Sequence, residues 1–383
     1  MRKLTVAHII YSWLPVTQNW IYTQLRCNTA CDHHVISMKE ECCGQFPWEQ
    51  RSTAFPPESG MINKVRLIAA RYWLHQPLPF MDKAIARINP DCIHGHFSTE
   101  SWRILAIAEK RSLPLITTFY GLDVDKLPRK RFWKEKYPRI FSYGSRFMVE
   151  GPFMGEKLAA LGCPEDKIEV VPLGVDRSLY RIDASADDND GIRVLFVGLN
   201  REKKGPLDAA KIFVEATRGN KNLRMDVIGS GKYRKPFERI ISEGGVRDLV
   251  TFHGGVSFNR YRELLAGCAV VLVPSCYATD GDCEGGAPVV CIEAQVAGKP
   301  IVGTKHCDIP NVTINGKTSL LSDEHAVSVM VQNILDLAQD QVLRERMGRE
   351  GMKHTGLNHD IYRQTRKIAG IYRSVAHNAG ETE

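Results

Sequence analysis

Short apolar runs alternate with helix-like segments from one end of this chain to the other, and that alternation limits the folds open to it. In the first half the strand candidates are residues 4–10, 33–38, 91–96, 115–120, 146–149 and 168–172, with helical stretches such as 98–110 and 152–161 between them. In the second half the runs are 193–197, 224–228, 250–253, 269–274 and 301–303, again separated by helices. Strands that alternate with helices predict parallel sheets covered by helices on both faces, an α/β architecture. A chain of 383 residues exceeds one ordinary core. The polar, acidic stretch RIDASADDNDG at 181–191 has almost no apolar side chain and predicts a linker. The expected division is therefore an N-terminal domain over 1–185 and a C-terminal domain over 191–358. A basic amphipathic helix and tail follow over 359–383, predicted to pack back on the first domain. Two doubly wound domains in series predict a cleft, with ligands held beyond the carboxyl ends of the strands.

No apolar run reaches the roughly 18 residues of a membrane-spanning helix, and the short, broken run after the N-terminus reads as a first strand rather than a signal peptide. The eleven cysteines are scattered through apparent core segments, which predicts buried free thiols and a cytoplasmic protein. Neither Cys27 with Cys31 nor Cys42 with Cys43 has the second cluster that a zinc site needs. The net charge of +7 is uneven: 24 Lys/Arg face 18 Asp/Glu over residues 1–180, against 27 and 26 beyond. The basic half predicts an anionic partner. Seven of those cations lie in KLPRKRFWKEKYPR (126–139), interleaved with Phe132, Trp133 and Tyr137, a composition suited to an anionic membrane surface or a lipid diphosphate, or to a solvated helix face. Outside it the basic pattern is broken and no reading motif is present, which argues against nucleic acid.

Three strand-end loops carry chemistry. In VLFVGLNREKKGPLDAAKIF, Gly198 opens the backbone, Arg201, Lys203 and Lys204 add charge, and Pro206 starts a helix whose free N–H groups favour an anion. That combination suits a diphosphate or, equally, a solvated basic turn. In DVIGSGKYRK the third glycine of a dinucleotide fingerprint is replaced by Arg234, which breaks the nicotinamide pattern and argues against a redox enzyme, while Gly229 still permits a tight turn over a base. In GDCEGGAPVVCIEAQVAGKPIVGT, Glu284 sits in a glycine-rich turn and Glu293 on the apolar helix that follows, ended by Gly298 and Pro300. Gly285 and Gly286 leave amides accessible. Carboxylates want hydroxyl donors and a diphosphate wants amides and cations, so the stretch suits a nucleotide-sugar. Asp280 and Asp282 invite a manganese reading, but Asp-Gly-Asp is ordinary turn chemistry and the cationic loop already serves a diphosphate, so no metal is expected. In the first domain, His94 and His96 end a strand before a helix. His96 reads either as cleft-facing or as packed in the core, and Asp123 in YGLDV either as a ligand of an acceptor hydroxyl or as a turn cap.

Taken together, TTFYGLDV, VVPLGVD, REKKG, DGDCEGGAPVVCIEAQ and KHCDIPNV resemble the retaining glycosyltransferases of family 4, most closely the bacterial branch that builds colanic acid and other exopolysaccharides. The resemblance implies the GT-B fold, two Rossmann-like domains facing across a cleft. It implies a hexosyltransferase with no cofactor or metal, using a nucleotide-diphosphate sugar and a glycan acceptor, often lipid-linked, at the inner face of the membrane. It gives Glu293 the ribose hydroxyls, Glu284 the transferred sugar, Lys204 the diphosphate and Gly285 and Gly286 the amides around the sugar and phosphates. With Arg201, Lys204, Glu284 and His96 as catalytic candidates, Gly198, Gly229, Gly285, Gly286 and Glu293 bind donor, and Tyr120 and Asp123 face the acceptor. Three positions depart from the pattern. Glu284 and Glu293 stand nine residues apart rather than eight, Leu199 replaces an arginine whose charge Arg201 is expected to supply, and Tyr120 replaces a histidine. The rival readings are a synthase acting on a small soluble acceptor and a degenerate scaffold of the same fold.

Overall fold

The computed structural model describes residues 2–15, 18–55, 79–180, 191–199 and 201–380. The chain forms two compact units, Met1–Gly174 with Ile361–Glu383, and Val175–Asp360. The segment 181–190, expected as a linker, lies outside the described residues; the chain passes from the first unit to the second at Gly174 and returns at Ile361.

The first unit holds strands β1 (Leu4–Trp13), β2 (Cys31–Glu40), β3 (Arg51–Phe55), β4 (Cys92–His96), β5 (Leu115–Thr118), β6 (Arg146–Val149) and β7 (Ile168–Val170). They form one sheet in the order β3-β2-β1-β4-β5-β6-β7, and every pairing is parallel. The strand order reverses between β1 and β4, the topological switch point. Helix Ile361–Gly380 closes one face: Ile368, Ala369, Ile371, Tyr372 and Val375 pack in one cluster with Val6 of β1, Cys92 of β4, Ile116 of β5 and Met148 of β6. Their spacing is the apolar stripe of an amphipathic helix. Each isoleucine or valine among them, fully buried, contributes about 1.5–3 kcal/mol.

The second unit repeats the plan with β8 (Ile192–Val197), β9 (Leu223–Ile228), β10 (Val250–Gly254), β11 (Val270–Val273), β12 (Ile301–Thr304) and β13 (Ser319–Ser322). Their order is β10-β9-β8-β11-β12-β13, all parallel, with the switch point between β8 and β11. β11 and β12 are buried along their whole length, as strands covered on both faces must be. Helix Pro206–Gly219 starts where Pro206 occupies the first turn and Gly205 takes φ +62°, and it buries Ala209, Ala210, Ile212, Phe213 and Ala216 against the sheet. This is a doubly wound α/β unit of the expected kind.

The edge strands β3 and β13 are absent from the sequence reading. The reason is physical: β3 reads RSTAF and is mostly half-buried, and β13 reads SLLS, so neither carries the continuous apolar run of a central strand.

Candidate functional site

The loops after β8 and β11 flank the switch point of the second sheet, and the backbone locks them together. Gly205 has no room for a side chain, because an added Cβ would stand 1.9 Å from the Pro274 carbonyl oxygen. The Cys276 amide donates to the Lys203 carbonyl at 2.9 Å. Gly198, at φ +148°, is needed for a similar reason: a Cβ there would stand 2.7 Å from Cβ of Lys204. The room that a side chain at Gly198 would take is used by the lysine stem, which carries the Lys204 ammonium across to Glu284.

There Lys204 Nζ lies 2.9 Å from Glu284 Oε1 and 3.0 Å from Oε2. Ser275 Oγ donates to Oε1 at 2.9 Å, and the Glu284 amide donates to His306 Nε2 at 3.2 Å. The Glu284 side chain is only 6% exposed. Burial pushes its carboxyl up, but Lys204, Lys203 and Ser275 together hold it below the ordinary carboxylate value. The other two cations meet Asp282: Arg201 Nη1 at 3.2 Å and Lys203 Nζ at 3.3 Å, with Lys203 also donating to the Cys283 carbonyl at 2.6 Å. The Asp282 carboxylate is therefore a counter-ion to the cationic loop. Leu199 is fully buried, while the Arg201 side chain is 59% exposed, so of the two only Arg201 presents charge to solvent. Three cations against two buried carboxylates form a preorganised charged cradle that an incoming anion can enter by exchange.

Glu293 occupies helix Val289–Val296, which is buried on nearly every side. Both its oxygens are taken: Tyr180 hydroxyl donates to Oε1 at 2.6 Å and Tyr261 hydroxyl to Oε2 at 2.5 Å. Burial raises its pKa and the two hydroxyls pull it back, leaving it above the ordinary value. Two hydroxyls on one carboxylate is the arrangement that a ribose diol would also make. Gly229 takes φ +117° at the end of β9, with its amide on the Gly254 carbonyl at 2.8 Å, and an added Cβ would stand 3.1 Å from the Leu199 amide nitrogen. Gly285 takes φ +75°, and the Gly286 carbonyl accepts from the Asp308 amide at 3.1 Å.

In the first unit His96 is fully buried. Its Nε2 lies 3.1 Å from His8 Nδ1 and its Nδ1 lies 3.0 Å from the Tyr120 hydroxyl. His8 continues to His33 at 2.8 Å, and His33 to the Asn28 carbonyl at 2.9 Å. Burial, with His33 nearby, pushes His96 down to about 3, so it stands neutral in this chain of rings. Asp123 is also buried: it accepts from the Ser98 amide at 3.0 Å, the Ser98 hydroxyl at 2.5 Å and the Tyr120 amide at 3.1 Å. It holds the first residue of helix Ser98–Lys110 and, through the Tyr120 amide, its own turn. Burial outweighs those bonds and pushes its carboxyl up to about 7. Tyr120, Trp20, Gln24 and Glu150 line a small cavity in this unit with Gln364 of the C-terminal helix.

In the 126–139 segment Trp133 and Tyr137 are core residues, 5% and 2% exposed, and only Phe132 faces solvent. The aromatics expected at an interface are therefore two-thirds inward, because they fill the cluster around Phe141 and Phe147. Arg131 pairs with Glu135 at 2.9 Å and Arg139 with Glu109 at 2.5 Å. No helix among the described residues is long and apolar enough to cross a membrane.

The sequence reading missed Ser275, His306, Tyr180 and Tyr261, which approach the two glutamates from elsewhere in the chain. Only His306 lay in a quoted motif, KHCDIPNV.

Comparison with known proteins adds an independent line. The family described as Glycosyltransferase Family 4 matches residues 46–179, and the family described as Glycosyl transferases group 1 matches residues 181–354. The amylovoran biosynthesis glycosyltransferase AmsK of Erwinia amylovora is 27% identical over 260 residues, 66% of this chain and 63% of that protein. The putative colanic acid biosynthesis glycosyltransferase WcaL of Salmonella typhimurium is 25% identical over 268 residues, 69% of this chain and 62% of that protein. The chain thus spans under two thirds of the length of these curated relatives. Among solved structures, HepE of Anabaena in complex with UDP and glucose aligns with a TM-score of 0.79 at 15% identity, over 97% of this chain and 100% of that one.

Proposed function

We propose that this chain, which belongs to the family 4 and group 1 glycosyltransferases and has their GT-B fold, transfers a hexose from a nucleotide-diphosphate sugar to a glycan acceptor. The observation that carries the reading is the Lys204–Glu284 pair at the second switch point, backed by Lys203 and Arg201. Ligands of open α/β sheets bind at such points. An ammonium has three donors, and Glu284 uses at most two, so Lys204 can hold the sugar-side carboxylate and a phosphate oxygen together. Cations already fixed in place stabilise the charge that builds on the departing diphosphate without reorganising. Asp282 is engaged by Arg201 and Lys203, so the loop serves the leaving group without a divalent ion there. Glu284, held by Lys204 and Ser275, contacts the sugar as a hydrogen-bond acceptor rather than as a nucleophile. With no covalent intermediate on Glu284, retention of the anomeric configuration, which the family resemblance implies, requires attack from the leaving-group face.

Glu293 takes the ribose hydroxyls in place of Tyr180 and Tyr261. The UDP and glucose bound to HepE, and the biosynthetic roles named for AmsK and WcaL, support a nucleotide-sugar donor and an exopolysaccharide product. The acceptor is a lipid-linked glycan at the cytoplasmic face of the membrane, with the cations of 126–139 turned toward anionic lipid. A thermal-shift panel of UDP, GDP, ADP and their sugars tests the donor site, since a ligand of the folded state raises its melting temperature. Transfer with the selected donor, with the product anomer read by NMR, tests the reaction. No shift with any nucleotide, or an inverted product, refutes the proposal.

A further inference from the structure

Behind Glu284 lies a cluster that the glycosyl-transfer reading does not use. Cys283 precedes Glu284, and His306 and Cys307 follow β12. Cys283 Sγ, His306 and Cys307 Sγ offer ligand atoms that all lie within 4.8 Å of one another, and all three residues are buried. Cys307 Sγ and His306 Nε2 are 3.2 Å apart. Ligand atoms of a tetrahedral zinc site, with Zn–S about 2.3 Å and Zn–N about 2.0 Å, stand roughly 3.5 Å from one another.

The imidazole is already set for a metal. An amide N–H can only donate, so the Glu284 amide on His306 Nε2 makes Nε2 the acceptor. The ring proton then sits on Nδ1 and donates to Glu324 Oε1 at 2.6 Å. Glu324 is itself fixed, its Oε2 accepting from the Tyr277 amide at 2.9 Å. A carboxylate that orients an imidazole from behind, with the other nitrogen's lone pair facing thiols, is the supporting arrangement of protein zinc sites. A second, independent observation is the backbone. Cys307 takes φ +47°, a left-handed conformation that costs a residue with a side chain about 1 kcal/mol or more. Such strain persists where the surrounding structure demands it, and here it accompanies an Sγ set against His306.

The histidine group of the first unit offers a contrast. His8, His94 and His96 also bring ring nitrogens within 4.8 Å, yet every one of those nitrogens has a protein partner: His8 with His33 and His96, His94 with Tyr372 and Thr118, His96 with Tyr120. Both groups are hydrogen-bonded within the chain; Cys283, His306 and Cys307 differ in setting two thiols beside one imidazole, a soft-ligand set.

We propose that Cys283 Sγ, Cys307 Sγ and His306 Nε2 bind a thiophilic divalent cation, zinc first among them, which ties the loop carrying Glu284 to the loop after β12. Binding releases the two thiol protons, so two thiolates neutralise the dication and no net charge is left in the buried site. The ion also takes the Nε2 lone pair that the Glu284 amide now uses. Its role is positional: it holds the backbone at residues 283–286, where the Asp308 amide already bonds the Gly286 carbonyl. It uses neither Asp280 nor Asp282 and does not depend on the glycosyl-transfer reading.

Elemental analysis of the full-length protein tests it. The expected result is one zinc per chain, lost in Cys283→Ser and in Cys307→Ser and kept in Cys276→Ser, a buried thiol of the same loop outside the cluster. Cobalt exchanged into the wild-type chain is expected to show a sulfur-to-cobalt charge-transfer band, a readout independent of whether any variant folds. A wild-type chain that carries no zinc and takes up neither zinc nor cobalt overturns the proposal. So does native protein two hydrogens lighter, with Cys283 and Cys307 joined as a disulfide.

Discussion

Replacing Lys204 by Met separates what holds the candidate site together from what turns substrate over. The ammonium contacts both oxygens of a carboxylate that is 6% exposed, and without it the charge of Glu284 is left with Ser275 and the more distant Lys203. Removing one partner of a buried pair costs about 3–5 kcal/mol. Lys204 is 28% exposed, so solvent already screens the pair, and the expected loss is about 2–3 kcal/mol. The pH dependence has a definite sign. The folded-state pKa of Glu284 lies below its ordinary value, so the group adds stability above the ordinary carboxylate pKa and loses it as the pH falls through the lower one. Lys204→Met moves that loss to higher pH. The double variant Lys204→Met/Glu284→Gln leaves no buried charge unpaired and is expected to recover most of the stability, a coupling measured by a double-mutant cycle of urea midpoints. Turnover behaves differently. It is expected to fall about a hundredfold or more in the single variant, the scale for losing one preorganised stabiliser, and not to return in the double. A double variant with near-normal turnover would refute the argument. It would reduce Lys204 to a counter-ion of Glu284 and pass the diphosphate to Arg201 or Lys203.

Other consequences can be measured separately. Tyr180→Phe and Tyr261→Phe each remove a hydroxyl that competes with ribose for Glu293, so nucleotide affinity by calorimetry is expected to rise by up to about tenfold, part of the roughly 1.5–3 kcal/mol of a hydrogen bond to a charged group; weakened binding would show that the tyrosines hold Glu293 in its working position. Asp123, with its carboxyl raised to about 7, keeps a proton in the folded chain that the unfolded chain gives up above about pH 4, so stability is expected to fall as pH rises from 4 to 7, by at most roughly 1.4 kcal/mol per unit. Asp123→Asn should flatten that slope, and an unchanged slope would mean the buried carboxyl is ionised throughout. Added manganese or magnesium is expected to leave turnover unchanged, and a rise would return Asp280 and Asp282 as ligands. Neutralising Arg129, Lys130 and Arg131 is expected to weaken binding to anionic vesicles, more at low salt, with nucleotide affinity unchanged; lost nucleotide affinity with vesicle binding intact would reverse the assignment.

The central strands were legible because burial on both faces writes a continuous apolar run: the readings 146–149 and 301–303 fall on β6 and β12 to within a residue. Two of the four edge strands, β3 and β13, were not, since RSTAF and SLLS carry no continuous apolar run, whereas the edges β7 and β10 were read. At 126–139 composition marked a run of cations with aromatics but not which way each aromatic faces. Packing with Phe141 and Phe147 turns Trp133 and Tyr137, on two successive short helices, inward and leaves Phe132 and the cations at the surface.

The site residues were legible in a particular sense: their types marked the loops, and their partners did not. Glu284 and Glu293 stand out because a carboxylate in a glycine turn and another on an apolar helix both demand donors. Where those donors come from is a property of the sheet. Lys204 reaches Glu284 from 80 residues away, because β8 and β11 are neighbours across the switch point and Gly198 leaves room for the lysine stem. Tyr180 and Tyr261 reach Glu293 from 113 and 32 residues away. No spacing rule links such positions, since sequence periodicity reports only one element at a time. The same holds for Cys283 and Cys307, which parallel pairing of β11 and β12 brings together and which no short cysteine motif would join. The chain satisfies Glu293 with its own tyrosines, so on the proposed function a ribose that takes their place gains only the difference between two sets of bonds. The Tyr180→Phe and Tyr261→Phe variants measure that difference directly.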